Sequence, residues 1–226
     1  MGSEGAPGTR IHVTGFKKFH GVAGNPTEAI VGRLQEYVMK RGLPNGVSLG
    51  SCTVIETAGE GAVKSLYALL NSSLTSSIEG GDTELLPGSS NVDRIIWLHL
   101  GVNAGATKFA VECRALNEAT FLYPDELGWQ PQRTPIFPED GGISHTIQTT
   151  LPVYEIVQAL IKKGYDVAPS NDAGRFVCNY VYYHSLHHAA NCGFKSLFVH
   201  VPLFTKINEE TQMQFIAALL EVLASI

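Results

Sequence analysis

The chain has 226 residues, 44% of them hydrophobic, with 23 glycines, 11 prolines and a formal net charge of −5 at pH 7. That length and composition suit one globular domain with a substantial core and exclude a disordered chain. The acidic balance offers no basic footprint for nucleic acid, and no apolar run approaches the length of a membrane span.

Cys52, Cys113, Cys178 and Cys192 lie far apart and match no C-x-x-C zinc spacing. A chain of this size does not need disulfide staples, so they read as reduced thiols. The first ten residues are small and polar, without the apolar core of a signal peptide. The Met1-Gly2 start has Ala6 where myristoylation expects Ser or Thr. The expectation is a flexible segment over residues 1–10, a single domain over 11–226, and a soluble, cytoplasmic protein.

Residues 11–14 form a short β-prone run ending at Gly15. A Gly-flanked loop with Phe16 and Phe19 follows. Such a loop offers little to bury aromatics, so these two either tuck back into the core or line a pocket. Asn25 or Thr27 is placed to cap a helix through Lys40. Residues 48–57 read as a second strand and 58–71 as a helix. Residues 59–65 have glycines that suggest a phosphate loop, but Val63 stands where the glycine before Lys64 is required. Residues 72–91, rich in Ser and Gly, read as a mobile surface loop.

Residues 94–100 form a continuous apolar run, as in a strand buried on both faces of a parallel sheet. The run enters Gly101-Val102-Asn103-Ala104-Gly105, a turn suited to bringing backbone amides toward a ligand. Residues 109–117 read as one half-buried strand. Glu112 lies within it, and a carboxylate there must be solvent-facing or paired. The Pro- and Gly-rich stretch 118–151 is too long for a simple connection and is expected to serve as a lid or binding loop. Pro152 opens a helix over 153–163 that Gly164 closes. Residues 165–169 and 196–201 read as strands, 176–190 as a helix, and 208–226 as an amphipathic helix. The alternation predicts an α/β protein, a single three-layer α/β/α domain around a mainly parallel, twisted central sheet.

Cys178 falls in the first turns of the helix after the Ser170-Asn171-Asp172-Ala173-Gly174 loop. Unpaired N–H groups and the positive end of the helix dipole favour a thiolate there. A cysteine hydrolase also needs an imidazole and a group to orient it. His200 ends an apolar strand just before Pro202, at the sheet edge where α/β sites form. His184, His187 and His188 share one helix at metal-like spacing, but no suitable third ligand accompanies them, and a wet helix face explains them better. No metal and no cofactor are expected.

The chain resembles the pyroglutamyl peptidase I family, cysteine peptidases with a Glu–Cys–His triad, nearly from end to end. Val13-Thr14-Gly15-Phe16 with Phe19, Gly21 and Asn25-Pro26 is similar to the family's opening segment. Glu112 with Ala115 and Asn117, then Pro124-Asp125, Gly128 and Gln130-Pro131, is similar to its glutamate segment. Ala173-Gly174 with Phe176-Val177-Cys178-Asn179 resembles the nucleophile motif, and His200-Val201-Pro202 the histidine segment. The resemblance implies Glu112, Cys178 and His200 as catalytic residues.

Pyroglutamate is a neutral lactam without the free amine that other aminopeptidases grip. Its pocket should be apolar and aromatic, and Phe16, Phe19, Phe176 and Val177 are the expected walls. The implied partners are peptides with an N-terminal pyroglutamate. The family includes monomers and tetramers, which leaves a homo-oligomer open. Departures cluster near the inferred pocket. Lys17-Lys18 replaces an acidic-Pro pair, His20 a glycine and Arg175 a small threonine, Thr120 stands where arginine is common, and the turn ending at Ala106 lacks a terminal arginine. The rival reading is a non-catalytic binder of N-terminally blocked peptides on the same fold.

Overall fold

The computed structural model describes residues 8–22, 24–76 and 94–226. Its strands are β1 (Thr9–Phe16), β2 (Val47–Ile55), β3 (Arg94–Val102), β4 (Phe109–Glu112), β5 (Arg114–Leu116), β6 (Thr146–Gln148), β7 (Val167–Ser170) and β8 (Lys195–Val201). Its helices are α1 (Pro26–Arg41), α2 (Gly59–Ser76), α3 (Val153–Lys162), α4 (Val177–Cys192) and α5 (Glu209–Ser225). Six strands form one sheet in the order β2-β1-β3-β8-β4-β7. All its pairings are parallel except β8 with β4.

Helices cover both faces of the sheet. Ile30 and Leu34 of α1, Ile156 and Leu160 of α3, and Ile216 and Leu220 of α5 bury one face. Leu66 and Leu70 of α2 with Val181, Tyr182 and Leu186 of α4 bury the other. Each such side chain, fully buried, stabilises the fold by roughly 1.5–3 kcal/mol. The apolar run of β3 has helices on both sides, as a doubly covered parallel strand requires. Helix α5, expected to be amphipathic, buries residues around most of its circumference because it packs against both α1 and α3.

Local chemistry sets the element ends. Asn25 caps α1, its Oδ1 accepting from Thr27 N–H at 3.0 Å. Asn208 does the same for α5 through Thr211 N–H. At the start of α2 the cap comes from far away: Asp125 Oδ2 accepts from Gly59 N–H at 2.8 Å. Gly193, in the left-handed region at φ 75°, closes α4.

Some expectations are corrected. Residues 9 and 10 belong to β1 rather than to a flexible terminus, while the segment before residue 8 lies outside the described residues. The expected surface loop over 72–91 begins as the last turn of α2, and the rest of it lies outside the described residues. The single strand expected over 109–117 is two strands. It breaks at Cys113, where the chain leaves β4 and the main sheet and β5 pairs with β6 in a small second sheet. Among the described residues no helix is long and apolar enough to cross a membrane.

Candidate active site

The C-terminal ends of β1, β3 and β8 converge on one edge of the sheet, and the N-terminus of α4 points at it. Cys178 is the second residue of α4. The loop before it turns at Gly174, φ 80°, held by Asp172 Oδ1 accepting from Gly174 N–H at 3.1 Å. His200 stands near the end of β8, opposite Gly101 of β3. On the other side of β8, antiparallel β4 places Glu112 opposite Phe198. Residues two apart share a face of a strand, so the Glu112 carboxylate reaches diagonally to His200, with Oε1 at 2.8 Å from Nδ1.

A carboxylate only accepts, so His200 Nδ1 carries the hydrogen and donates to Glu112. That leaves Nε2 for the Cys178 thiol, which is in hydrogen-bond contact with the ring. Burial alone would hold His200 neutral. The hydrogen bonds and negative charges of Cys178 and Glu112 outweigh it and raise the imidazole to about 10. The ring is therefore a buried imidazolium with a partner on each nitrogen. Glu112 itself is only 1% exposed, and the Tyr182 hydroxyl of α4 anchors its strand by donating to the Glu112 carbonyl at 3.0 Å.

A cavity of about 320 Å³ opens over Cys178 and His200. Phe16, Phe19 and Phe176 wall one side of it, and Asn25 and Thr57 contribute polar edges. Phe176 is braced edge-on by Phe121 at 4.6 Å between ring centroids. Both alternatives for the loop phenylalanines hold at once: Phe16 is 2% exposed in the core and still lines the cavity. Val177, expected as a fourth wall, does not line it. It is fully buried in the core beneath α4, because successive helical side chains point about 100° apart, so Val177 faces inward where Cys178 faces the cavity.

The changed residues stand elsewhere than expected. His20, Thr120 and Arg175 line a neighbouring apolar cleft of about 540 Å³, which shares only Phe19 and Phe176 with the Cys178 cavity. Thr120 and Arg175 both bind Glu118, at 2.8 and 3.1 Å. Lys17 pairs with Glu56 at the exposed surface, and Lys18 donates its backbone N–H to Glu28.

Sequence reasoning missed Thr57, which holds the Phe16–Phe19 loop by donating to the Lys17 carbonyl at 2.7 Å. Asn25 donates to the same carbonyl at 3.0 Å, and its cap role was the signal that marked it. His184, expected on a wet helix face, is buried against Tyr67, whose hydroxyl lies 2.9 Å from Nδ1. Burial pushes its pKa down to about 3. Among the described residues no group of three or more His, Cys, Asp or Glu side chains is placed to hold a metal ion.

The model of the pyroglutamyl peptidase family matches residues 88–217. The chain belongs to the pyroglutamyl peptidase family. The pyrrolidone-carboxylate peptidase of Pyrococcus furiosus is 30% identical over 195 residues, which is 85% of this chain and 80% of that relative. The one from Klebsiella pneumoniae is 32% identical over 193 residues, 85% of this chain and 77% of that relative. Among solved structures, the pyrrolidone carboxyl peptidase of Fervidobacterium islandicum has a TM-score of 0.76 at 25% identity, covering 96% of this chain and 99% of that one. The Pyrococcus furiosus structure has a TM-score of 0.75 at 26% identity, covering 95% and 97%. For a pyroglutamyl peptidase, the cysteine, histidine and glutamate gathered at one sheet edge are the parts a thiol hydrolase needs.

Proposed function

We propose that this family member is a cysteine peptidase that removes an N-terminal pyroglutamyl residue from peptides, acting in the cytoplasm. The observation that carries the reading is the chain of contacts from Cys178 through His200 to Glu112 beneath an aromatic-walled cavity. In this reading Cys178, His200 and Glu112 are the catalytic residues, and Phe16, Phe19 and Phe176 hold the lactam ring.

The chemistry follows from the geometry. Cys178 Sγ attacks the pyroglutamyl carbonyl carbon, forming a C–S bond and an oxyanion. Collapse breaks the C–N bond while His200 Nε2 gives its proton to the departing amine. Water then attacks the thioester, returning its proton through His200 and releasing pyroglutamate with the thiol restored. Glu112 keeps Nδ1 protonated throughout, so that Nε2 alone exchanges protons. The flat, uncharged lactam suits aromatic walls, and a ring without the lactam carbonyl would leave its hydrogen-bond partner unpaired, a loss that discriminates strongly.

The test is release of a fluorescent amine from a pyroglutamyl amide, with a prolyl amide as control. Turnover that vanishes in Cys178→Ser and is absent with proline is the expected result. A folded, reduced wild type that binds pyroglutamyl peptides without turning them over would instead identify a non-catalytic binder.

A further inference from the structure

The cavity has two unlike halves around Cys178 and His200. Phe16, Phe19 and Phe176 form the aromatic half. Val102, Asn103 and Ala104 from the end of β3, with Asp172, Ala173 and Gly174 from the loop before α4, form the other. A lactam ring in the aromatic half directs the scissile bond toward His200, and the departing peptide must continue beyond it into the second half. We propose that this second half is the subsite for the leaving peptide, and that the Asn103 carboxamide is its specificity-determining donor. It would take the first carbonyl after the scissile bond. The proposal rests on the pyroglutamyl peptidase reading.

Asn103 is held for that task. Its backbone N–H donates to the Val201 carbonyl at 2.9 Å, which pins it beside the strand end that carries His200. Its Oδ1 accepts from Gly105 N–H at 3.1 Å, an Asx turn that fixes the carboxamide plane. The oxygen is thus committed to the turn, and among the described residues no acceptor takes the two Nδ2 hydrogens. Asp172, which lines the same cavity, can only accept, and its Oδ1 already takes Gly174 N–H at 3.1 Å and Arg175 at 2.6 Å. Among the side chains of this half, Asn103 therefore carries the donor. The leaving peptide offers a matching acceptor, the carbonyl of its first residue. An arylamide leaving group has none.

The test compares kcat/KM for pyroglutamyl-alanine amide with kcat/KM for a pyroglutamyl arylamide, in wild type, Asn103→Ala and Asn103→Asp. The readout is the ratio of the two, which general damage to the enzyme does not move. Loss of one hydrogen bond to substrate should lower the peptide-to-arylamide ratio about tenfold in both variants. Aspartate retains the acceptor for Gly105 but lacks the donors, so a ratio restored in Asn103→Asp would assign Asn103 to the turn alone and overturn the proposal. A ratio unchanged in both variants would also overturn it. A wild type that turns over neither substrate would fail the parent reading instead, before any variant is compared.

Discussion

Gly101 of β3 and Cys178 of α4 lie so close that a Cβ at position 101 would sit 2.8 Å from the Cys178 sulfur and 2.7 Å from the Phe198 ring. Real side chains do not approach to that distance, and neither neighbour has room to retreat: Phe198 is fully buried and the sulfur faces His200. Gly101→Ala should therefore displace the nucleophile more than it unfolds the protein. A misplacement of about 1 Å costs on the order of 100-fold in rate. The expected outcome is a fall of that order in kcat on a pyroglutamyl amide, with a melting temperature that drops by only a few degrees. A variant as active as wild type would mean that α4 can shift without penalty.

The pH profile should report the charge on His200. The departing amine needs the protonated ring, so kcat/KM should fall as pH rises through the imidazole value of about 10. Glu112→Gln keeps an acceptor for Nδ1–H but removes one of the two negative partners. The imidazolium is then less favoured, and the alkaline limb should move to lower pH. Stability follows the same sign. A histidine raised from 6.5 to about 10 contributes stability that is fully present below pH 6.5 and is lost as pH rises through 10. Glu112→Gln should narrow that window. An alkaline limb unmoved in the variant would assign it to another group.

Asn179, next to the nucleophile, joins α4 to the strand region of the long loop. Its Oδ1 accepts from Leu116 N–H at 2.8 Å, and its Nδ2 donates to the carbonyls of Leu116 at 2.8 Å and Glu118 at 3.0 Å. The side chain is fully buried, so Asn179→Ala removes the side-chain partner of the Leu116 N–H and of the Glu118 carbonyl, while the Leu116 carbonyl still accepts from Glu118 N–H at 2.8 Å. Each buried polar group stranded in this way costs roughly 1–3 kcal/mol. Chemical denaturation should show a loss of roughly 2–6 kcal/mol, and a midpoint within experimental error of wild type would contradict these contacts.

What could be read from the sequence was local. Asn25 before Pro26, Pro152 with Gly164, and the apolar run over 94–100 each announce an element through chemistry contained in a few residues. The positions of Cys178 at a helix start and His200 at a strand end were legible for the same reason. Glu112 was marked by the family resemblance, but its pairing with His200 could not be read locally, because it depends on β4 lying antiparallel beside β8, a contact between residues 88 apart in the chain. The break at Cys113 was hidden too: alternation marks an extended run but not which sheet each half joins. Val177 and His184 were misjudged because helix rotation, set by packing against the sheet and α2, decides which side chain faces the cavity and which the core.

His99 gives the last prediction. It is fully buried on β3, with Thr14 Oγ1 2.7 Å from Nδ1 and Ser185 Oγ 2.8 Å from Nε2. Ser185 continues to Ser196 at 2.8 Å, so one neutral ring ties β1, β3, α4 and β8 together. Burial pushes its pKa down to about 3. A histidine depressed in this way stays neutral in the folded chain while the unfolded chain takes up a proton below pH 6.5. Stability should therefore fall as pH drops from 6.5 toward 3, steepened by His184, also lowered to about 3, and His12, lowered to about 4. His99→Gln keeps a donor and an acceptor but does not titrate. Its melting temperature should start lower than wild type at pH 7 and decline less steeply between pH 6.5 and 4. Parallel slopes in the two proteins would show that the ring is already protonated in the folded state, and that Thr14 and Ser185 both accept from it.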